Sequence, residues 1–482
     1  MFELNKLQAS RVFYYFEEIS KIPRGSKNTK AISDYLVAFA VFNNLEYRKD
    51  ENNNVIIYKK AYRGYENSQT IILQAHMDMV CEKGKNVEHD FNKDGIEIIY
   101  DNGVLKADGT TLGADDGIGI AFSLSILESK TLKHPNLEVV FTADEEIGLI
   151  GAKKINTEFL SGKYLINLDS ENESCFYVGC AGAIGGVVNI PLDFKKKYGS
   201  VYRIRISGLL SGHSGIDIDK NRGNAIILMG RLLYKVKDLI SIISLNGGEN
   251  ENVISREAEA IIMVDENVSE KLKKIIDDYS DDIKKEYYQI DDSVNVSMDK
   301  LEKMETDVLT LQSSVTVLTF LMLYPNGVYK KCGYLDNVVE TSCNIGMVKT
   351  EKEYFLAFIS IRSCLETAKE FMWNKIYCLS ELLGCKLKKV AEYSAWEYNR
   401  DSKLGRIMID AYRNVYGKTP EIKVIHAGLE CAVFKEKMPE LECISIGPDI
   451  YNIHTVQECV SMISVNRVWI FLVKVLDAMC KT

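Results

Sequence analysis

Several short segments place metal-ligating or proton-moving side chains where apolar runs end. His76 and Asp78 follow the run 71–73, which closes at Gln74. Asp115 and Asp116 lie in LGADDGIG (112–119), where Gly113 and Gly117 permit a tight turn before the helix-spaced stretch 116–128. Glu145 and Glu146 follow LEVVFTAD (137–144), and Asp169 closes YLINLD (164–169). His454 sits in a Gly-, Pro-, Asn- and Tyr-containing segment near the C-terminal end. Imidazoles mixed with carboxylates suit zinc or manganese. A carboxylate such as Asp115 could bridge two ions about 3.5–4 Å apart, the spacing of two-metal hydrolytic sites. Of two adjacent glutamates, one can bind metal while the other moves protons. Asp78, two residues past His76, could accept the second imidazole N–H and fix the tautomer.

Taken singly, each residue has a plainer reading. A histidine after a strand is usually structural, and an Asp-Asp pair before a helix is most often a cap. A glutamate pair is usually a solvated face, and a strand-terminal aspartate a turn residue. The plain readings weaken together, because three strand ends deliver such groups to one sheet edge. Strands alternating with helices predict an α/β sheet with parallel strands. Ligands of such sheets sit beyond the carboxyl ends of the strands.

The texture changes near residue 190. Strands are expected at 201–208, 258–265, 293–302, 338–349 and 353–363, with helices at 222–237, 269–286, 307–323 and 366–383. Near 389 the first texture returns, with a helix at 402–416, strands at 421–425 and 441–446, and a helix after 465. The expected organisation is a discontinuous catalytic domain, 1–189 with 389–482, and an inserted α+β lid domain, 190–388, built of two similar-sized subunits.

Composition bounds the function. The 482 residues carry 59 Lys+Arg and 68 Asp+Glu, a net charge of −9, with 46% hydrophobic and 26% charged residues. This is a globular balance and excludes a disordered or collagen-like chain. No basic stripe suggests nucleic-acid binding. No stretch approaches the ~20 apolar residues that span a bilayer. The segment 1–22 mixes charges through its apolar residues, unlike a secretory signal, and is expected to form an amphipathic helix of a cytoplasmic protein. The twelve cysteines are scattered without a Cys-x-x-Cys pair, which suggests neither a disulfide framework nor a sulfur-ligated zinc site.

The ordered set HMDMV (76–80), LGADDGIG (112–119), FTADEEIGLIGA (141–152), NLDSE (167–171), SGHSG (211–215), HAGLEC (426–431) and IGPDI…IH (446–454) resembles the aminoacyl-histidine dipeptidases, also called Xaa-His or cytosol non-specific dipeptidases. These belong to the co-catalytic zinc exopeptidases, with carnosinases and aminoacylases. The resemblance spans nearly the whole chain. It implies a zinc-exopeptidase-like catalytic domain, with a central mixed sheet flanked by helices, and a lid. It implies two divalent ions per chain, zinc first, with manganese or cobalt as alternatives. His76 and Asp169 would hold one ion, Glu146 and His454 the other, with Asp115 bridging them; the Asp115–Asp116 peptide bond is often cis in this group. Asp78 would orient His76, and Glu145 would be the general base and acid for attack by a metal-bridging hydroxide.

The resemblance also assigns His213 to the oxyanion, Arg362 to the substrate carboxylate, Asn252 (with Asn250 as a near neighbour) to the lid contact, and His426 with Glu430 to the substrate side. In plainer terms His213 is a turn before a helix, Arg362 an exposed strand arginine, and HAGLEC a strand-to-helix turn. His89 and His134 match no motif. Leu209-Leu210 before SGHSG and Ala432 after HAGLEC depart from the family pattern and bear on specificity rather than hydrolysis. The implied substrates are dipeptides with a free C-terminal carboxylate; N-acyl amino acids or longer peptides are the alternative. Monomer and homodimer are both compatible with the sequence.

Overall fold

The computed structural model describes residues 7–333 and 335–481; the expected helix over 1–22 therefore lies partly outside the described residues, and a helix spans Ser10–Ser20. The chain divides into two compact units. The first comprises the chain up to Gly179, Tyr398–Val424 and Leu429 onward; the second comprises Cys180–Glu397 and Ile425–Gly428.

Among the described residues the first unit holds an eight-stranded mixed sheet. Strand Ile71–His76 is central and runs parallel to Leu137–Thr142 on one side and Tyr164–Asn167 on the other. Tyr164–Asn167 in turn pairs in parallel with Glu442–Ser445, while Val55–Lys59 pairs antiparallel on the far side. Every residue of Ile71–His76 and Leu137–Thr142 is buried. That explains why these strands read as unbroken apolar runs: a parallel strand covered on both faces has no solvent side. Helix Ala114–Glu128 is likewise buried from Ala114 to Leu127, and its charges are confined to its first turn and last residue. A small four-stranded sheet contains the antiparallel pair Ile450–Tyr451 and Cys459–Ser461, and the loop between these strands carries His454.

The second unit is built on a nine-stranded sheet in which the recorded pairings are antiparallel. Among the described residues its two halves are joined by the pair Gly247↔Val348. Helix Ser269–Glu286 buries Leu272, Ile276, Tyr279 and Ile283. This is one apolar stripe at helical spacing. The unit has its own apolar core, which includes Ile204, Leu232, Ile262, Phe320 and Ile359.

Three local expectations change. The second unit begins at Cys180 rather than 190, since strand Gly182–Pro191 pairs along its length with Tyr354–Ser363. It ends at Glu397 rather than 388, since strand Lys386–Tyr393 pairs with Gly182–Pro191. The helix expected from 307 starts at Leu311: residues 307–309 pair with 194–196, and the Thr310 hydroxyl accepts the Ser313 N–H as cap.

Candidate functional site

Three neighbouring parallel strands end at one edge of the first unit's sheet, and their register decides what meets there. His76 is level with Thr142, so Glu145 and Glu146 emerge just beyond it; Asn167 is level with Gln74, which places Asp169 beside His76. His76 Nε2 lies 3.0 Å from Asp115 Oδ1 and 3.4 Å from Asp169 Oδ1. His454 Nε2 lies 3.1 Å from Asp115 Oδ2 and 3.0 Å from Glu146 Oε1. Asp115 thus turns one oxygen to each imidazole. The five side chains expected as ligands are brought together from separate segments.

Asp78 is positioned differently from a simple imidazole partner. Its Oδ1 is 3.6 Å from His76 Nδ1, whereas its main-chain oxygen is 3.1 Å away. The carbonyl is the better acceptor and fixes the proton on Nδ1, leaving Nε2 free to ligate. The Asp78 carboxylate instead accepts the N–H groups of Glu145 (2.9 Å) and Glu146 (3.3 Å) and the Ser26 hydroxyl (2.8 Å). It holds the turn that presents both glutamates.

Two further residues, not singled out from the sequence, shape the Asp115 turn. The peptide Asp115–Asp116 is cis, and Gly113 has φ 70°, a left-handed conformation that glycine adopts without strain. Glu458, buried, accepts the N–H groups of Leu112 (2.9 Å), Gly113 (3.1 Å) and Ala114 (2.7 Å). A carboxylate on the free amides of a helix start is favourable, because those donors have no intrahelical partner. Arg24, also buried, donates to the Met77 and Asp78 carbonyls (3.2 Å each) and to the Gly113 carbonyl. It ties the His76 strand end to the Asp115 turn. Neither residue is near its partners in sequence, so no spacing could have shown the link.

The electrostatics are those of crowded acids. Burial, reinforced by Asp115, pushes the Asp169 carboxyl well above the usual range. Burial does the same to Glu145, with Asp169 and Glu430 adding repulsion. Asp115 is pushed up by burial too, yet hydrogen bonds from His454 and His76 hold it well below the ordinary value. Those with Asp115 and Glu146 raise His454 to about 11. Such a cluster calls for positive charge between its members. Ligand atoms sharing a tetrahedral ion at bond lengths of about 2.0–2.2 Å sit about 3.4 Å apart. The spacings from 3.0 to 3.4 Å around His76 and around His454 fit such sharing. The donor set of two imidazoles and three carboxylates therefore suits divalent cations.

The second unit holds its own polar cluster. Arg362, expected as an exposed strand arginine in the plainer reading, is buried. It donates to the Tyr393 hydroxyl at 2.7 Å, its Nη2 lies 3.4 Å from His213 Nε2, and its Nε has no partner among the described residues. Among the described residues no carboxylate pairs with Arg362. A buried guanidinium without a counter-charge is costly, and an anionic ligand would relieve it. His213 does not lead into a helix; it bridges Val253 at the head of a run of turns, and the next helix starts at Ala225. Its Nδ1 accepts the N–H groups of Gly215 and Ile216 at 3.2 Å each. That places the proton on Nε2, where it can be donated. Burial, then the charge of Arg362, lowers His213 to about 4, so the ring is neutral at neutral pH. His426 is buried, with Nε2 2.8 Å from Ser342 Oγ, and burial lowers it to about 3. Asn252 is exposed, and its carbonyl accepts the Ser214 N–H at 2.8 Å. His134 is buried against the Pro135 carbonyl (2.8 Å), and His89 packs on Phe91.

The fold thus joins a mixed sheet, with acids and imidazoles at its parallel strand ends, to a second unit of antiparallel strands and helices. A model of Peptidase family M20/M25/M40 matches residues 72–478. The chain is 34% identical over 480 residues to the cytosol non-specific dipeptidase of Escherichia coli (strain K12), covering 99% of each. The crystal structure of aminoacylhistidine dipeptidase from Vibrio alginolyticus matches with TM-score 0.90 at 34% identity, over 99% of this chain and 98% of that one. An aminopeptidase from Bacillus cereus ATCC 10987 shares the fold at TM-score 0.58 and 16% identity, over 98% and 99% of the two chains. The chain belongs to Peptidase family M20/M25/M40.

Proposed function

We propose that this protein is a two-metal dipeptidase that hydrolyses dipeptides bearing a free C-terminal carboxylate. The observation that carries the reading is the placement of Asp115, with one carboxylate oxygen 3.0 Å from His76 and the other 3.1 Å from His454. Asp115 would contribute to both ion sites, His76 and Asp169 would hold one ion, and Glu146 and His454 the other. Two divalent ions, zinc foremost, would supply Lewis acidity and lower the pKa of water.

The chain's own residues then have distinct tasks. Glu145, whose buried carboxyl has a raised proton affinity, takes a proton from water as the new C–O bond forms. It returns that proton to the leaving amine as the C–N bond breaks. Asp78 holds Glu145 in place through its N–H. His213 donates from Nε2 to the developing oxyanion. Arg362 binds the substrate carboxylate, and His426 and Asn252 line the substrate side. The similarity to a relative named for the cytosol supports a cytoplasmic location.

The test is cleavage of β-alanyl-His, Ala-His, Gly-Gly, a tripeptide and an N-acetyl amino acid, with chelator and with zinc, manganese or cobalt restored. Metal-dependent cleavage of free dipeptides is expected. Cleavage of only the acylated substrate would move the protein to an aminoacylase activity. No cleavage under any metal would overturn the reading.

A further inference from the structure

Glu430 has no exposed surface, and no task in the chemistry above requires its carboxyl. It is the first residue of helix Glu430–Lys437, and its side chain reaches a buried row of polar groups on three adjacent strands. Oε2 accepts the Thr142 hydroxyl at 2.8 Å and the Gln74 amide N–H. Gln74 Nε2 also lies 3.2 Å from Thr142 Oγ1, and Gln74 Oε1 accepts the Asn167 amide at 2.6 Å. Asn167 Oδ1 accepts the Asp169 N–H at 3.4 Å. Oε1 of Glu430 has no hydrogen-bond partner among the described residues.

The register explains the row. Gln74 is level with Asn167, and Thr142 with His76. In a strand, residues two apart share a face, so Gln74 and His76 project to the same side. Gln74 and Asn167 thus lie one layer behind the candidate ligands, two residues before His76 and Asp169, while Thr142 stands level with His76 and three residues before Glu145. Burying a carboxyl without a cation is costly, and an apolar residue of similar size would be cheaper. Burial accordingly raises Glu430 to about 7.

We propose that Glu430 is a positioning residue: through Gln74, Thr142 and Asn167 it fixes the relative placement of the three strand ends that carry His76, Glu145 and Asp169. It acts through these neighbours and does not itself ligate metal or touch substrate. The inference rests on the two-metal dipeptidase reading for its kinetic consequence, but not for its metal-binding one.

The experiment compares Glu430→Gln, Glu430→Leu and Thr142→Val with the full-length parent. The readouts are kcat and KM on Ala-His, cobalt titration of the metal-free protein, and the thermal midpoint. Glu430→Gln keeps an acceptor for Thr142 and Gln74 and should retain kcat within about threefold. Glu430→Leu should lower kcat and cobalt affinity about 10–100-fold, the range for groups that orient ligands, with KM nearly unchanged. Thr142→Val should shift both in the same direction by less. Folded Glu430→Leu with parental kcat and cobalt affinity would overturn the proposal. Should Glu430→Leu fail to fold, parental values in Thr142→Val would overturn it equally. Should the parent cleave no dipeptide, the dipeptidase reading fails while the cobalt titrations still decide the positioning role.

Discussion

The two units solve opposite electrostatic problems with opposite sheet designs. In the first, parallel strands end together, so acids and imidazoles from distant segments collect at one edge and need cations. In the second, antiparallel strands send no common edge to one place. Its cluster instead draws on two strand ends (Arg362 and Tyr393), an isolated bridge (His213) and a short segment (His426), and it needs an anion. Arg362 is buried without a carboxylate partner among the described residues, whereas Asp115, Asp169 and Glu145 repel one another. Under the proposed function, the first cluster would serve the reacting water and the second the substrate's fixed negative end.

The sharpest way to break this contrast is Glu145→Gln. The proton-moving role predicts a loss of about 10²–10⁴-fold in kcat, with metal content and KM preserved. Near-parental turnover, measured on a free dipeptide with metals quantified, would remove Glu145 from the chemistry.

His213→Ala tests the second unit by the same criterion. An oxyanion donor should cost about 10²–10³-fold in kcat with little change in metal content. Its two Nδ1 contacts at 3.2 Å with Gly215 and Ile216 fix the Nε2–H form on which that role depends. Loss confined to KM would make His213 a substrate-binding group instead, and the division between the two units would need redrawing.

The strand ends were legible because both-face burial writes itself as an apolar run, and the run's last residue marks where a side chain leaves the sheet. Helix Ser269–Glu286 was legible from its stripe. The start of the helix at Leu311 was not. Asp307, Val308 and Leu309 carry a helix-compatible pattern, and only the pairing with 194–196 makes them strand. His213 was misread as preceding a helix for a related reason: Gly-rich SGHSG resembles a helix-entry turn, but the chain makes further turns before Ala225. Glu458 and Arg24 were harder still, and Glu430, placed on the substrate side by the resemblance, is instead fully buried against Thr142 and Gln74. Their partners lie tens to hundreds of positions away, and a buried carboxyl has no local spacing that tells a capping or bracing group from a solvated one.

Glu458 turns that blind spot into a smaller test. Glu458→Gln keeps one acceptor but loses the charge facing the Leu112, Gly113 and Ala114 amides. Since the Asp115 turn hangs on those amides, cobalt affinity should fall about 10–100-fold while KM for a dipeptide stays near parental. An unchanged titration would show that Arg24 and the helix packing suffice to place Asp115.

The smallest expected effect separates the units by pH. His426 is held down to about 3 and His213 to about 4, chiefly by burial, whereas the same groups in the unfolded chain titrate near 6.5. Below pH 6.5 the unfolded state therefore binds more protons than the folded one, and stability falls as pH drops toward 4. His134 in the first unit, lowered to about 4 by burial, has the same sign, so the second unit carries two such groups against one. Thermal midpoints of the metal-free protein between pH 6.5 and 4.5 should thus decline less steeply in His426→Asn than in the parent, by a few degrees at the acid end. Equal slopes would mean that His426 gains its proton without cost in the folded state, which its burial beside Arg362 argues against.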